Sequence, residues 1–195
     1  MTLVLIEHAG GEPLETSLQA VTFARSLGAH DVHAFLAGGE NDFVLNQHKP
    51  VLGAAGVAAV HVVADRRLEG FAPDAWARLA SDLARTLGAG TVVAAGTERG
   101  NEVLARVAAR LDVPFAANVV SASVAGETVE LTRVRWGGSL LEDAVMSAST
   151  RVLSVQPHAV PVETTGGDAE AHASSVELDD ADLVVRVVDR VGGAA

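Results

Sequence analysis

Apolar positions recur along this chain in two alternating rhythms up to Pro114. Leu3-Val4-Leu5-Ile6 is an unbroken apolar run and predicts a buried strand. Glu15–Leu27 spaces Leu18, Val21, Phe23, Ala24 and Leu27 near the helical period, and Gly28 supplies the stop. Asp31–Leu36 predicts a second strand. Residues 38–50 are polar, contain Gly38-Gly39 and Lys49-Pro50, and read as a loop. Val51–Ala55 reads as a short helix and Ala59–Ala64 as a third strand. Pro73-Asp74 opens a helix that runs to Leu87, where Gly88 and Gly90 close it. Thr91–Ala95 predicts a fourth strand. The loop Gly96–Gly100 leads to Asn101, read as the cap of a helix reaching Leu111, with Val113-Pro114 ending it. This β-α-β-(α)-β-α-β-α order predicts an α/β fold: a mostly parallel sheet with flanking helices.

After Pro114 the rhythm changes. Phe115–Val124, Glu127–Arg135, Leu140–Ser147 and Arg151–Gln156 all look like strands, separated by Gly126, Gly137-Gly138 and short polar pieces. The second half is therefore β-rich and partly antiparallel. Residues 163–175 are small and polar and read as a linker or mobile loop. Val176–Leu178 and Leu183–Val188 read as a terminal β segment, and Val191–Ala195 as the start of a linker. The division expected is one α/β domain over residues 1–160 and an appendage over 161–195.

Composition removes several function classes. The chain has 195 residues, 49% of them apolar, and a formal net charge of -11. A nucleic-acid role would need a concentrated basic patch, and Arg66-Arg67 is the only adjacent basic pair. There is no cysteine, so no disulfide, thiolate metal site, iron–sulfur cluster or thiol nucleophile arises within the chain. No window approaches the roughly 20 apolar residues of a membrane helix. Leu3–Ile6 is short and lacks the basic flank of a signal peptide. The expected address is the cytoplasm, without membrane insertion.

Chemical motifs are sparse. No P-loop, dinucleotide-binding glycine fingerprint or nucleophile elbow is present. Gly53-Ala-Ala-Gly56 reads as packing or turn geometry. His30 and His33 read as solvent-exposed strand ends and not as metal ligands. His8, at the end of the first strand, sits where ligands of parallel sheets gather, although a structural histidine is the simpler reading. Glu142-Asp143 reads as a solvated strand face. Two segments stand out. Thr97-Glu98-Arg99-Gly100-Asn101 precedes a helix, where backbone N–H groups attract anions or are simply capped. Arg133-Val-Arg135-Trp136-Gly137-Gly138-Ser139 is either an ordinary hairpin turn or a docking surface built on arginine and tryptophan.

The order of these motifs resembles electron-transfer flavoprotein alpha subunits. The resemblance is carried by Leu3-Val-Leu-Ile-Glu-His8 with its glycine turn, and by the helix start near Glu15. Ala95-Gly-Thr97, Gly100-Asn101 and Leu104-Ala-Arg106-Val-Ala-Ala-Arg-Leu-Asp112 match most specifically. Arg133–Gly138, Arg151–Gln156 and Asp179–Val188 continue the match. The resemblance implies an adenine-nucleotide-hydrolase-like fold and pairing with a beta subunit as a heterodimer. It implies a role as an electron carrier and not an enzyme. Electrons would pass from acyl-CoA or other flavin dehydrogenases, as in fatty acid oxidation, to a membrane quinone-linked acceptor. Thr97, Gly100, Asn101, Arg106, Arg135, Trp136, Gly137 and Gly138 are the loop or interface residues it singles out. The family's FAD-carrying domain, with its Gly-Gly-Arg-Gly motif, has no counterpart in this sequence. FAD is therefore expected in the complete heterodimer and not on this chain alone, and AMP in the beta subunit. A stand-alone universal-stress-type nucleotide-binding protein, using His8 and the Thr97–Asn101 loop, is the alternative.

Overall fold

The computed structural model describes residues 1–9, 12–28, 31–38, 41–68, 70–174 and 177–187. In chain order the strands and helices are β1 (Thr2–Leu5), β2 (His8–Ala9), β3 (Glu12–Pro13), α1 (Glu15–Ser26), β4 (Val32–Gly38), α2 (Asn41–Ala54) and β5 (Ala59–Ala64). There follow α3 (Pro73–Leu87), β6 (Thr91–Ala95), α4 (Glu98–Leu111), β7 (Phe115–Ala125), β8 (Thr128–Arg135), β9 (Leu140–Ser147), β10 (Arg151–Val155) and β11 (Glu170–Ser174). One nine-stranded sheet has the order β11-β5-β4-β1-β6-β10-β7-β8-β9. Every pairing from β11 to β7 is parallel, and β7-β8-β9 is antiparallel. The α/β fold expected from the sequence is the one observed.

The apolar run at the amino terminus is continuous because both faces of its strand are covered. Val4 and Ile6 join a core with Phe23 of α1 and Leu52 of α2. Leu3 and Leu5 point the other way, into a core with Leu79 of α3 and Leu104 of α4. Pro73 starts α3, and Gly88 ends it in the left-handed conformation.

Three expectations from the sequence are corrected. Residues 38–50 are not all loop, because α2 runs through Lys49-Pro50. His48, Leu52 and Ala55 are buried at helical spacing, and that packing overrides the local cost of proline. The polar stretch 163–175 is not wholly a linker: Glu170–Ser174 pairs with β5 along its whole length. Backbone pairing needs no apolar side chains, so the composition gave no sign of it. The terminal β segment is also absent among the described residues. Asp180–Leu183 is instead a 3-10 turn, closed by reciprocal Asp179 and Asp182 capping bonds. Buried Asp182 pairs with Arg110 at 3.1 Å and Arg78 at 3.8 Å, fixing this turn on α3 and α4. Residues 188–195, including the expected linker start, lie outside the described residues.

Candidate functional site

The carboxyl ends of β1, β6 and β10 meet in a chain of polar side chains. Its first link is the loop between β6 and α4. The sequence suggests Asn101 as the helix cap, but Thr97 fills that role: its hydroxyl accepts from the Gly100 amide at 2.9 Å. The same hydroxyl donates to Glu7 Oε1 at 2.5 Å. Glu7 is buried, and burial raises its carboxyl pKa above the ordinary value, with the Thr97 bond opposing that shift. Gly100 is required by space, since a Cβ there would overlap the Ala95 carbonyl oxygen.

Asn101 lies inside the first turn of α4 and is freed from capping. Its Nδ2 donates to Asn118 Oδ1 at 3.0 Å. Its Oδ1 accepts from Ser154 Oγ at 2.5 Å, and that hydroxyl accepts from the Asn118 amide at 2.8 Å. Asn118 interrupts β7 in the left-handed conformation, with φ 58°. The β7–β10 register slips at this point, as it does at a bulge. Gly96 closes against the kink; a Cβ there would stand 2.6 Å from Asn118 Oδ1 and 2.7 Å from the Val155 carbonyl.

Beside this kink opens a cleft of about 410 Å³ lined by Gly96, Asn118, Arg135, Trp136, Gly137 and Gln156, among others. Of the two segments that the sequence marked, the arginine–tryptophan one lines this space; Thr97–Asn101 does not, and reaches it only through Gly96 and the Asn101–Asn118 hydrogen bond. Trp136, Gly137 and Gly138 all have positive φ, at 52°, 60° and 96°. For tryptophan this conformation costs about 1 kcal/mol or more. It holds the indole outward, 81% exposed. Arg133 and Arg135 contact Glu142 Oε2 at 3.0 and 3.2 Å. The hydrogen bond from Arg133 leads the causes that lower the Glu142 pKa.

Other marked residues lie elsewhere. Arg106 does not reach the cleft; it pairs with Asp74 at 2.9 Å and Glu102 at 3.1 Å, tying α4 to α3. His8 Nε2 is 3.2 Å from the Ala37 carbonyl, and its ring packs 4.9 Å from that of His48. Burial, then the neighbouring His8, lowers His48 to about 4. His33 is no simple exposed strand end, because its Nδ1 lies 3.0 Å from His61 Nε2; His30 falls outside the described residues. Gly53 permits close backbone approach, since a Cβ would stand 2.9 Å from the Ala169 amide. Asp143 accepts from Thr132 at 2.7 Å on the open strand face. Sequence reasoning missed Glu7, Asn118 and Ser154. Each is a polar residue inside or beside an apolar strand, which is the signal that could have found it.

The electron transfer flavoprotein domain model matches residues 2–181. A Mycobacterium tuberculosis protein named electron transfer flavoprotein subunit alpha is 33% identical over 175 residues, 86% of this chain and 51% of that protein. A Cryptococcus neoformans protein named probable electron transfer flavoprotein subunit alpha, mitochondrial, is 26% identical over 186 residues, 94% of this chain and 51% of that protein. The chain thus spans about half the length of these curated relatives.

Proposed function

The chain belongs to the electron transfer flavoprotein domain family, and from that premise we propose that it is an alpha-type scaffold component that docks a beta subunit through the Trp136 cleft. The observation that carries this reading is the indole itself. An 81% exposed tryptophan, fixed in a disfavoured backbone conformation beside a cleft, gains most when a partner covers it. Leu140, Leu141 and Val145 extend the exposed apolar surface along β9.

Among the described residues, the cleft offers no unpaired cation to FAD. A dinucleotide carries a pyrophosphate, and the cation lining this cleft, Arg135, is already paired with Glu142. On this reading the flavin belongs to the complete assembly, and this chain supplies shape and docking as an electron-carrier component. AMP is assigned to the beta subunit on the same reading. The assembly would take electrons from acyl-CoA or other flavin dehydrogenases, as in fatty acid oxidation, and deliver them to a membrane quinone-linked acceptor. Among the described residues no helix is long and apolar enough to cross a membrane. A cytoplasmic setting goes with this reading.

Affinity purification of the chain from its host, with mass spectrometry of the co-purifying proteins, tests the proposal. A beta-type subunit in equal amount is expected. Recovery of the chain without any such partner would overturn it.

A further inference from the structure

Strand β11 is held differently from the other parallel strands. Four of its five residues are exposed, yet it pairs with β5 from Glu170 opposite Ala59 to Ser174 opposite Val63. Its entry is anchored by Ala169, buried over Gly53, and by a Lys49–Asp168 ion pair at 3.5 Å. Within the strand itself, His172 stacks its ring on that of His61. His33 of β4, His61 of β5 and His172 of β11 form a row of near-parallel rings, each 5.1 Å from the next between centroids. His61, in the middle, is 6% exposed, and β11 covers its outer flank.

The row works only when largely neutral. His33 Nδ1 and His61 Nε2 are 3.0 Å apart, so one of them must be an unprotonated acceptor. Doubly charged rings would set two N–H groups against each other. The charged groups facing His61 are the imidazoles of His33 and His172. His33 faces Asp31, the amino terminus, Glu170 and His172. His172 has Glu170 Oε2 at 3.5 Å; Glu170 and Asp31 also favour charge on His33, whereas no carboxylate among the described residues acts on His61 in the middle.

We propose that this imidazole row is a proton-operated latch, holding β11 on the sheet while neutral and releasing it on acidification to open the β5 edge. An opened edge presents unpaired backbone groups to an incoming strand. Burial is the main cause that lowers both His33 and His61, the latter from 6.5 to about 4. A released strand lets His61 regain water and its ordinary affinity for protons. The released state then binds more protons than the docked state, so docking is complete above 6.5 and lost as the pH falls towards 4.

Amide hydrogen exchange over residues 59–64 and 170–174, corrected for intrinsic rate, reads the latch directly. Between about pH 7.5 and about pH 5, protection is expected to fall on the order of 10-fold in the unaltered protein. In His61→Gln and in His61→Asn that fall should shrink to within about twofold. His61→Asn, with the shorter amide, keeps the test valid if His61→Gln folds poorly. Protection that ignores pH in the unaltered protein, or falls equally in the variants, would overturn the proposal.

Discussion

The two ends of the sheet use their strands for different purposes. In β1 and β6 every residue is buried, between α1 and α2 on one face and α3 and α4 on the other. In β9 one residue of eight is buried, while Leu141 and Val145 are each 70% exposed. A helix-covered parallel strand has no face left to offer. An antiparallel strand beyond the helices has one face on the core and one open. The proposed docking surface accordingly sits at the junction, where β6 ends at Gly96 and the β7–β8–β9 lobe departs.

That contrast breaks most easily at Gly100. Gly100→Val pushes a side chain into the β6 carbonyl and should cost about 3 kcal/mol of stability by urea unfolding. Thr97→Ala removes the α4 cap and strips buried Glu7 of its hydroxyl partner. The expected loss is about 2 kcal/mol in the same assay. Trp136→Ala should behave in the opposite way. Fold stability should stay within about 0.5 kcal/mol, while affinity for the beta-type partner drops at least about 10-fold, measured by titration calorimetry.

Glu7→Gln sharpens the comparison through pH. The Glu7 pKa is raised above 4.5 in the folded chain, so folding favours its protonated form. Its stabilising share is present below the unfolded value and lost as the pH rises through the folded one. The melting temperature of Glu7→Gln relative to the unaltered protein should therefore increase from acid to neutral pH; a decrease would contradict the assignment. Glu142→Gln should have the smallest effect. Its arginine pairs sit on the solvated lobe, so thermal unfolding should barely move.

The helices and strands that the sequence exposed are those whose apolar spacing matches their burial, such as Pro73–Leu87 and Leu3–Ile6. The part of α2 before Val51 was hidden because Pro50 and its polar neighbours mimic a loop. Strand β11 was hidden because backbone pairing to β5 leaves its small polar side chains exposed. One wall of the cleft was visible as the Arg135–Gly138 motif, and so was the Thr97–Asn101 motif that lies behind the other. Their convergence was not, since it depends on Asn118 bending β7 and on hydrogen bonds between residues distant in the chain. Arg106 matched a motif, yet its carboxylate partners make it part of the α3–α4 packing.

Tryptophan fluorescence tests the docking surface most directly. The chain has two tryptophans, and Trp76 is already buried at 6% exposure, so a change on binding reports Trp136. Titrating the beta-type subunit should shift emission to shorter wavelength and saturate at equal amounts, with no shift in Trp136→Phe. A stoichiometric complex whose formation leaves the emission unchanged would contradict the account.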